Sequence, residues 1–158
     1  MSLFLDCEFN GHEGRLISMG IVSDLTQQEF YETLIIPHDE VIDPWVQENV
    51  IPKLYKPPID DLEFREKLHI YLLKHTGETI YADSPADHVH LLNNTHWMND
   101  ENSYRYLSLE LTMKFIIPNR KEYWPTNELE HHALHDARTL MKWANSPHGR
   151  IHLHMRGN

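Results

Sequence analysis

LFLDCEFNG, residues 3–11, places two carboxylates inside an apolar run. The apolar residues around Asp6 and Glu8 predict a strand that is buried on both faces. Side chains two positions apart on a strand project from the same face, roughly 7 Å apart. Ionised carboxylates are rarely buried unless they are paired or bind a metal ion. The stretch therefore predicts a metal site on the first strand, and the alternative is an exposed strand face with two solvated acids.

The segments that follow this first strand predict an antiparallel start to a sheet. The strand at 3–9 is followed by NGHEG, which has the glycines of a hairpin turn, and by a second apolar run at 15–22. The turn-like SDLTQQ then precedes a third run at 29–36. Three such strands followed by mixed helices and strands predict an α/β fold, with helices packed on the sheet.

The rest of the chain contains helices with recognisable starts. Asp43-Pro44 is typical of an N-cap followed by proline at the first helical position, and Asp60 with Glu63 has capping-box spacing. Two further strands are expected at 78–82 and 104–111, and a helix at 132–145. Another helix is expected after Ser84-Pro85, with Val89 and Leu92 on its apolar side. Residues 112–129 show no clear pattern.

Length and composition indicate one globular domain spanning residues 1–158. No apolar run approaches the ~20 residues of a membrane span, and no signal peptide is recognisable. The single cysteine, Cys7, allows no internal disulfide, which favours a cytoplasmic location. The net charge of −10 counts against nucleic-acid binding unless metal ions supply positive charge.

A second acidic pair lies in ADSPADHVHLL, residues 82–92. Asp83 is expected at the end of a strand, and Asp87 in the first turn of a helix. Two interpretations of Asp87 remain open. With Ser84 as N-cap it would be the acid of a capping box, and otherwise it is a metal ligand.

The third cluster is HHALHDARTL, residues 131–140. Asp136 lies beside the apolar stripe of the last helix. His131, five positions earlier, would be about 140° away around a continuous helix. If the two share a site, His131 must lie at or before the helix start, on a less regular segment. The alternative for any single histidine here is a solvated surface group.

Together the three clusters resemble the exonuclease motifs of the DEDDh 3′–5′ exonucleases, a family that includes ribonuclease T, oligoribonuclease and the proofreading subunit of bacterial DNA polymerase. Their order and approximate spacing are similar over nearly the whole chain. The small size and the Asp-His-Val-x-Leu form of the middle motif resemble the compact, stand-alone exoribonucleases of mycobacteria and phages. The resemblance implies a ribonuclease H-like fold, a mixed sheet whose first three strands are antiparallel.

The resemblance also implies a site for two divalent cations, Mg²⁺ or Mn²⁺. Asp6, Glu8, Asp87 and Asp136 would be the metal ligands, and His131 would be the general base of hydrolysis. Asp6 would bridge both ions, Glu8 and Asp136 would complete one site, and Asp87 would serve the other. The product would be a nucleoside 5′-monophosphate released from a 3′ end.

Residues beside the motifs supply further candidates. Asp83 competes with Asp87 for the role of the acid in the middle motif. If Asp87 has that role, Asp83 is a candidate to contact the metal ligands without binding the metal itself. Phe9, Asn10 and His12 follow the first motif and are expected to meet the terminal nucleotide, with core packing an equal alternative for Phe9. Many family members have threonine where this chain has Phe9, which is a departure from the motif.

Several partners and functions remain as alternatives. RNA is the favoured substrate, and the alternatives are a DNA exonuclease or a catalytically inactive module, on the same fold, that binds divalent metal or a partner. The presence of all five motif residues favours an enzyme. No membrane partner is expected, and a homodimer is an alternative to a monomer. The tryptophans at 45, 97, 124 and 143 are expected in the core or at subunit contacts.

Overall fold

A computed structural model describes residues 2–12, 14–95, 97–98, 104–105, 112–116, 118 and 130–149. The strands are β1 (Ser2–Phe9), β2 (Leu16–Ser23), β3 (Glu29–Thr33), β4 (Thr79–Ala82), β5 (Trp97–Met98), β6 (Tyr104–Arg105) and β7 (Thr112–Phe115). The helices are α1 (Pro44–Asn49), α2 (Asp61–Leu73), α3 (Pro85–Thr95) and α4 (Ala133–Ala144), with a 3₁₀ turn at Ile51–Lys53.

Five strands form one mixed sheet in the order β3-β2-β1-β4-β7. β1 pairs antiparallel with β2, and β2 pairs antiparallel with β3. β1 pairs in parallel with β4, and β4 in parallel with β7. β5 and β6 form a separate antiparallel pair. The predicted α/β fold, with a mixed sheet flanked by helices, is therefore confirmed, and β1 has a strand on each side.

Different helices cover the two faces of this sheet. Leu3 and Leu5 of β1 enter an apolar core with side chains of α2 and α3. Phe4 points the other way and packs with side chains of α4. Alternation along β1 therefore places Asp6 and Glu8 on the α4 face, beyond Phe4.

An irregular register between β1 and β2 brings α1 to the same end of the sheet. Glu8 pairs with Ser18 and Phe9 with Leu16, so Ile17 is an extra residue in β2. Ile17 is buried in a cluster with apolar side chains of α1. A bulge of this kind bends the strand and redirects side chains near its end.

The two predicted N-caps are confirmed. Asp43 Oδ1 accepts hydrogen bonds from the backbone nitrogens of Trp45 and Val46 at 2.8 and 3.3 Å. Asp60 Oδ1 accepts from the backbone nitrogen of Glu63 at 2.8 Å. These bonds satisfy amide groups that the first helical turn leaves without partners.

One strand prediction needs correction, and another lies mostly outside the described residues. The third strand ends at Thr33 rather than at 36, because Leu34 pairs instead with Ile59 in an isolated bridge. Of the strand expected at 104–111, only the pairing of β6 with β5 lies within the described residues, and 106–111 lie outside them. The fifth strand of the main sheet is β7, inside the stretch that showed no clear pattern.

The predicted apolar side of α3 is wrong. Val89 and Leu92 are exposed, whereas Leu91 is buried in the core and Asp87 is buried against β1.

The prediction for the last helix agrees with α4, and Trp143 lies in the apolar core between α4 and the sheet, as expected. Trp45 is half exposed. The side chains at 97 and 124 lie outside the described part of the chain.

Within the described residues, no helix combines the length and the apolar character needed to cross a membrane.

Candidate metal centre and active site

Glu8, His131 and Asp136 form a first ligand group. Each offers one ligand atom, and these atoms lie within 4.8 Å of one another. Glu8 and Asp136 are buried, whereas His131 is partly exposed. Two carboxylates and an imidazole at this separation could hold a metal ion.

Asp6, Asp83 and Asp87 form a second ligand group, again with one atom from each within 4.8 Å of the others. Asp6 lies on β1, Asp83 follows β4, and Asp87 lies in the first turn of α3. Because β1 and β4 are parallel neighbours, their carboxyl ends lie at the same edge of the sheet. Asp83, expected either to compete with Asp87 for the middle motif or to lie outside the ligands, is as much a member of this group as Asp87.

Both groups line one cavity of about 180 Å³. The described lining residues are Asp6, Cys7, Glu8, Phe9, Asp83, Ser84, Asp87, Glu130, His131 and Asp136. None of these described residues is a lysine or an arginine, so no side-chain ammonium or guanidinium in this lining offsets the carboxylates. The cavity is therefore suited to a cation.

The crowding of acids acts most clearly on Asp6, whose pKa is raised well above its usual value. Burial is the largest cause, and it is followed by the charges of Asp87, Glu8, Asp136 and Asp83. Burial and like charges both disfavour the ionised carboxylate, and a nearby cation has the opposite effect.

Asp87 is fixed against β1. Its Oδ1 accepts a hydrogen bond from the backbone nitrogen of Cys7 at 3.2 Å, and the residue is 1% exposed. Ser84 Oγ accepts from the backbone nitrogen of Ala86 at the start of α3. A capping role alone would not require the contact between Asp87 and β1, so this contact favours the ligand interpretation.

His131 lies in the turn just before α4, in the left-handed region at φ 65°. Its backbone nitrogen donates to Asp136 Oδ2 at 2.9 Å. The Lys53 ammonium donates to the backbone oxygen of Glu130, and the Trp45 ring meets the imidazole edge-on, with ring centres 4.7 Å apart. The expectation that His131 precedes the helix on a less regular segment is confirmed.

Gly20 allows the start of α4 to approach the sheet, and sequence reasoning missed it. It pairs with Asp6 across β1 and β2. A Cβ added to Gly20 would lie 2.4 Å from the backbone nitrogen of Leu134 and 2.5 Å from the backbone of Ala133. The signal in the sequence is an isolated glycine inside a strand, which often marks a close approach of backbones.

His132 is the N-cap of α4 and was also missed. Its Nδ1 accepts from the backbone nitrogen of His135 at 3.3 Å. The ring contacts those of Tyr31 and Tyr55, with centroid distances of 4.6 and 4.9 Å, and the two tyrosine rings also contact each other at 4.9 Å. Burial lowers the pKa of His132, which favours the neutral ring that this cap needs. Histidine is not among the usual N-cap residues, so the sequence gave no clear signal.

The three predicted substrate contacts lie in different surroundings. Phe9 lines the acidic cavity, but it also packs on the core between the sheet and α2–α3. The Asn10 amide donates to Glu40 Oε1 and accepts from the backbone nitrogen of Asp43, so it ties down the segment before α1. His12 lines a different, larger cavity. A substrate role for each of the three stays a prediction.

Neither a protein-family model nor a curated protein sequence matches the chain.

Proposed function

We propose that this protein is a metal-dependent 3′–5′ exonuclease of the DEDDh type, with a ribonuclease H-like fold. Its product would be nucleoside 5′-monophosphates, and RNA is the favoured substrate because of the resemblance to compact exoribonucleases. One observation supports the proposal above all. The five motif residues come from β1, α3 and the start of α4, and they line a single cavity in two ligand groups.

The donor set fits hard divalent cations such as Mg²⁺ or Mn²⁺. Five of the six group members offer carboxylate oxygen, and the sixth is an imidazole. Oxygen-rich sites suit Mg²⁺ and Mn²⁺ more than the softer metals that prefer thiolates. Glu8 and Asp136 would hold one cation and Asp87 with Asp83 the other, with Asp6 between them on the same strand face as Glu8.

Two bound cations would lower the pKa of the attacking water and neutralise charge on the phosphate and the leaving oxygen. His131 would take the proton from this water, which requires a neutral imidazole. Its orientation would be held by the bond from its backbone to Asp136 and by the contact with Trp45. Asp136 would thus act twice, as a ligand and as the support of the base.

The test is to incubate the protein with 5′-end-labelled single-stranded RNA and with DNA of the same sequence, adding Mg²⁺, Mn²⁺ or EDTA. We expect a ladder shortened from the 3′ end, 5′-monophosphate products, and no reaction with EDTA. Glu8→Gln should abolish the ladder, whereas Glu66→Gln, an exposed site on α2, should match wild type.

The outcomes separate the alternatives. Faster digestion of DNA than of RNA would identify a DNA exonuclease. Retention of cation binding, seen as a metal-dependent rise in thermal stability, without any hydrolysis would identify an inactive metal-binding module. Hydrolysis that persists in Glu8→Gln would contradict the assignment of the site.

A further inference from the structure

The side-chain amide of Asn10, just beyond the end of β1, is bonded to one short segment of the chain. Its Nδ2 donates to Glu40 Oε1 at 2.9 Å and to the backbone oxygen of Val41 at 3.0 Å. Its Oδ1 accepts from the backbone nitrogen of Asp43 at 2.8 Å. Both hydrogens of the amide nitrogen are thus used, and these partners fix which end of the amide is oxygen and which is nitrogen.

This bonding favours a role for Asn10 within the protein over a contact with a nucleotide. The side chain is partly buried, and it is not among the described residues that line the acidic cavity or the larger one. Its amide donors are spent on protein acceptors, so they are not available to a substrate. The amide therefore holds residues 40–43 against the end of β1.

The position of Asn10 is itself fixed by the turn between β1 and β2. Its backbone nitrogen donates to the backbone oxygen of Arg15 at 2.9 Å. Gly11 follows with a φ of +68°, and a Cβ added there would lie 3.7 Å from the Cβ of Asp43, in ordinary contact. The turn that begins at Asn10 thus packs directly against the segment that the amide holds.

Two consecutive hydrogen bonds connect Asn10 to the first turn of α1. Asn10 Oδ1 holds the backbone nitrogen of Asp43, and Asp43 Oδ1 holds that of Trp45 at 2.8 Å. The Trp45 ring then meets the His131 imidazole edge-on. Because α1 has only six residues, it depends on contacts outside the helix to form. The place of the Trp45 ring therefore depends on how firmly Asp43 is held.

His131 lies in a backbone conformation that needs support from its surroundings. Its φ of 65° is in the left-handed region, which residues other than glycine seldom adopt. On one side, Asp136 Oδ2 accepts from its backbone nitrogen. On the other side, the segment containing α1 contributes the Trp45 ring and the Lys53 ammonium, which donates to the backbone oxygen of Glu130. A shift of this segment would therefore move the imidazole.

We propose that Asn10 is a positioning residue that sets the place of the general base His131, through Asp43 and Trp45. This inference rests on the proposed exonuclease function. Asn10 follows Glu8 by two positions on the same strand end, so its side chain keeps the base in register with the carboxylates of β1. A displacement of about 1 Å at a reacting group can cost about 10²-fold in rate.

The first test separates kcat from KM for single-stranded RNA with Mn²⁺. Asn10→Ala should lower kcat about 10–100-fold and change KM by less than about threefold, because the displaced group acts in the transition state. Gln47→Ala removes an exposed amide from α1 and is the matched control, which should keep the wild-type kcat. A raised KM with unchanged kcat would make Asn10 a substrate contact and would overturn the inference.

A double-mutant cycle tests whether Asn10 acts through the base. In a His131→Ala background, Asn10→Ala should lower kcat by no more than about twofold, because the group that it positions is already absent. Glu40→Ala is the milder variant, since it breaks one of the three bonds, and alone it should lower kcat about threefold. A full loss from Asn10→Ala in the His131→Ala background would overturn the inference.

Labelling of the metal-free protein tests the same path without hydrolysis. Diethyl pyrocarbonate modifies accessible neutral imidazoles, and peptide mass spectrometry in EDTA gives the rate at each histidine. Asn10→Ala should raise the rate at His131 about threefold or more, because the Trp45 ring no longer covers the imidazole, and should leave the exposed His148 unchanged. An unchanged rate at His131 would overturn this inference alone. Hydrolysis of neither RNA nor DNA by wild type would overturn the exonuclease proposal itself.

Discussion

The two faces of the central sheet have the same strands but different interiors. On the face covered by α2 and α3, the buried side chains form one continuous apolar cluster that includes Phe64 and Leu68. On the face covered by α4, two apolar clusters are separate, and Asp6 and Glu8 of β1 also lie on this face. Alternation along a single strand thus places a continuous apolar core on one face and candidate metal ligands on the other. Removing a buried charge from the α4 face should accordingly stabilise the metal-free protein. Truncating a side chain on the α2–α3 face should destabilise it.

The largest effect expected is that of Asp6→Asn on the α4 face. Hydrolysis should fall by several orders of magnitude, because the variant would lose a carboxylate of the proposed metal site. At neutral pH the metal-free variant should nevertheless unfold at a higher urea concentration than wild type. Activity assays and urea unfolding in EDTA measure the two effects. Lower stability of the metal-free variant would contradict the contrast between the faces.

The pH dependence of wild-type stability follows from the same residue. The raised pKa of Asp6 means that the folded metal-free protein keeps a proton that the unfolded chain releases. Stability from this group is greatest at low pH and is lost as the pH rises through the raised pKa. Asp6→Asn should remove this part of the dependence. Phe64→Ala, on the opposite face, should keep the dependence while costing about 3–5 kcal/mol.

His131→Ala should lower kcat by about 10²–10⁴-fold, the usual value of a general base. Wild-type activity should fall on acidification, because a protonated imidazole cannot accept a proton, and the residual activity of the variant should lack this fall. The rise in thermal stability on adding Mn²⁺ should persist, which separates a base from an essential ligand. His148→Ala, at an exposed position, is the control. Loss of the Mn²⁺ effect in His131→Ala would make His131 a ligand instead.

Gly20→Ala tests how closely α4 must approach the sheet. The added methyl would overlap the backbone at the start of α4, so we expect a loss of about 1–3 kcal/mol in the free energy of unfolding and a larger loss of activity than of folded protein. Gly77→Ala is the control, because its φ of +83° strains any side chain but no atom lies within 4 Å. It should cost about 1–2 kcal/mol and leave activity per folded molecule unchanged. Equal effects of both variants on activity would argue against a role of Gly20 in the site.

The smallest effect expected is that of Asp83→Asn, which tests the second ligand group. Asp83 is partly exposed, whereas Asp87 is buried and bonded to β1. We expect Asp83→Asn to weaken Mn²⁺ binding about 10-fold, and Asp87→Asn to weaken it more. Mn²⁺ titrations followed by thermal melting give both values. The reverse ranking would make Asp83 the main ligand of the middle motif.

Local chemistry explains which features were predictable. The apolar run around Asp6 and the caps at Asp43 and Asp60 follow from spacing and residue type, whereas the grouping of Glu8 with Asp136 was expected from the resemblance of the three motifs to a known family. β7 could not be predicted, because its side chains are mostly exposed and its pairing with β4 is set by distant residues. The buried side of α3 was mispredicted for a related reason, since Asp87 turns inward to meet β1.

The missed site residues share a tertiary cause. Asp83, named in the sequence as a competitor of Asp87, lies beside Asp6 because β1 and β4 are parallel neighbours, which the sequence did not predict. His132 acts as a cap where its ring packs against two tyrosines from other segments, and the larger cavity lined by His12 needs the packing of α2 and α3. Gly20 is the exception, because an isolated glycine in a strand could have been noticed in the sequence.

Cys7 would allow cation binding at the proposed metal centre to be followed by its rate of chemical labelling. It is the chain's single cysteine and is buried, and its Sγ lies 4.0 Å from the backbone oxygen of Asp87. Burial first, and then neighbouring acids led by Asp87, raise the pKa of its thiol, which disfavours the reactive thiolate while the residue is buried. The rate at which a thiol reagent labels the folded protein should therefore report how often local opening exposes Cys7. Cations that link Asp6 to Asp87 should slow that labelling, so metal occupancy can be followed in time without any substrate.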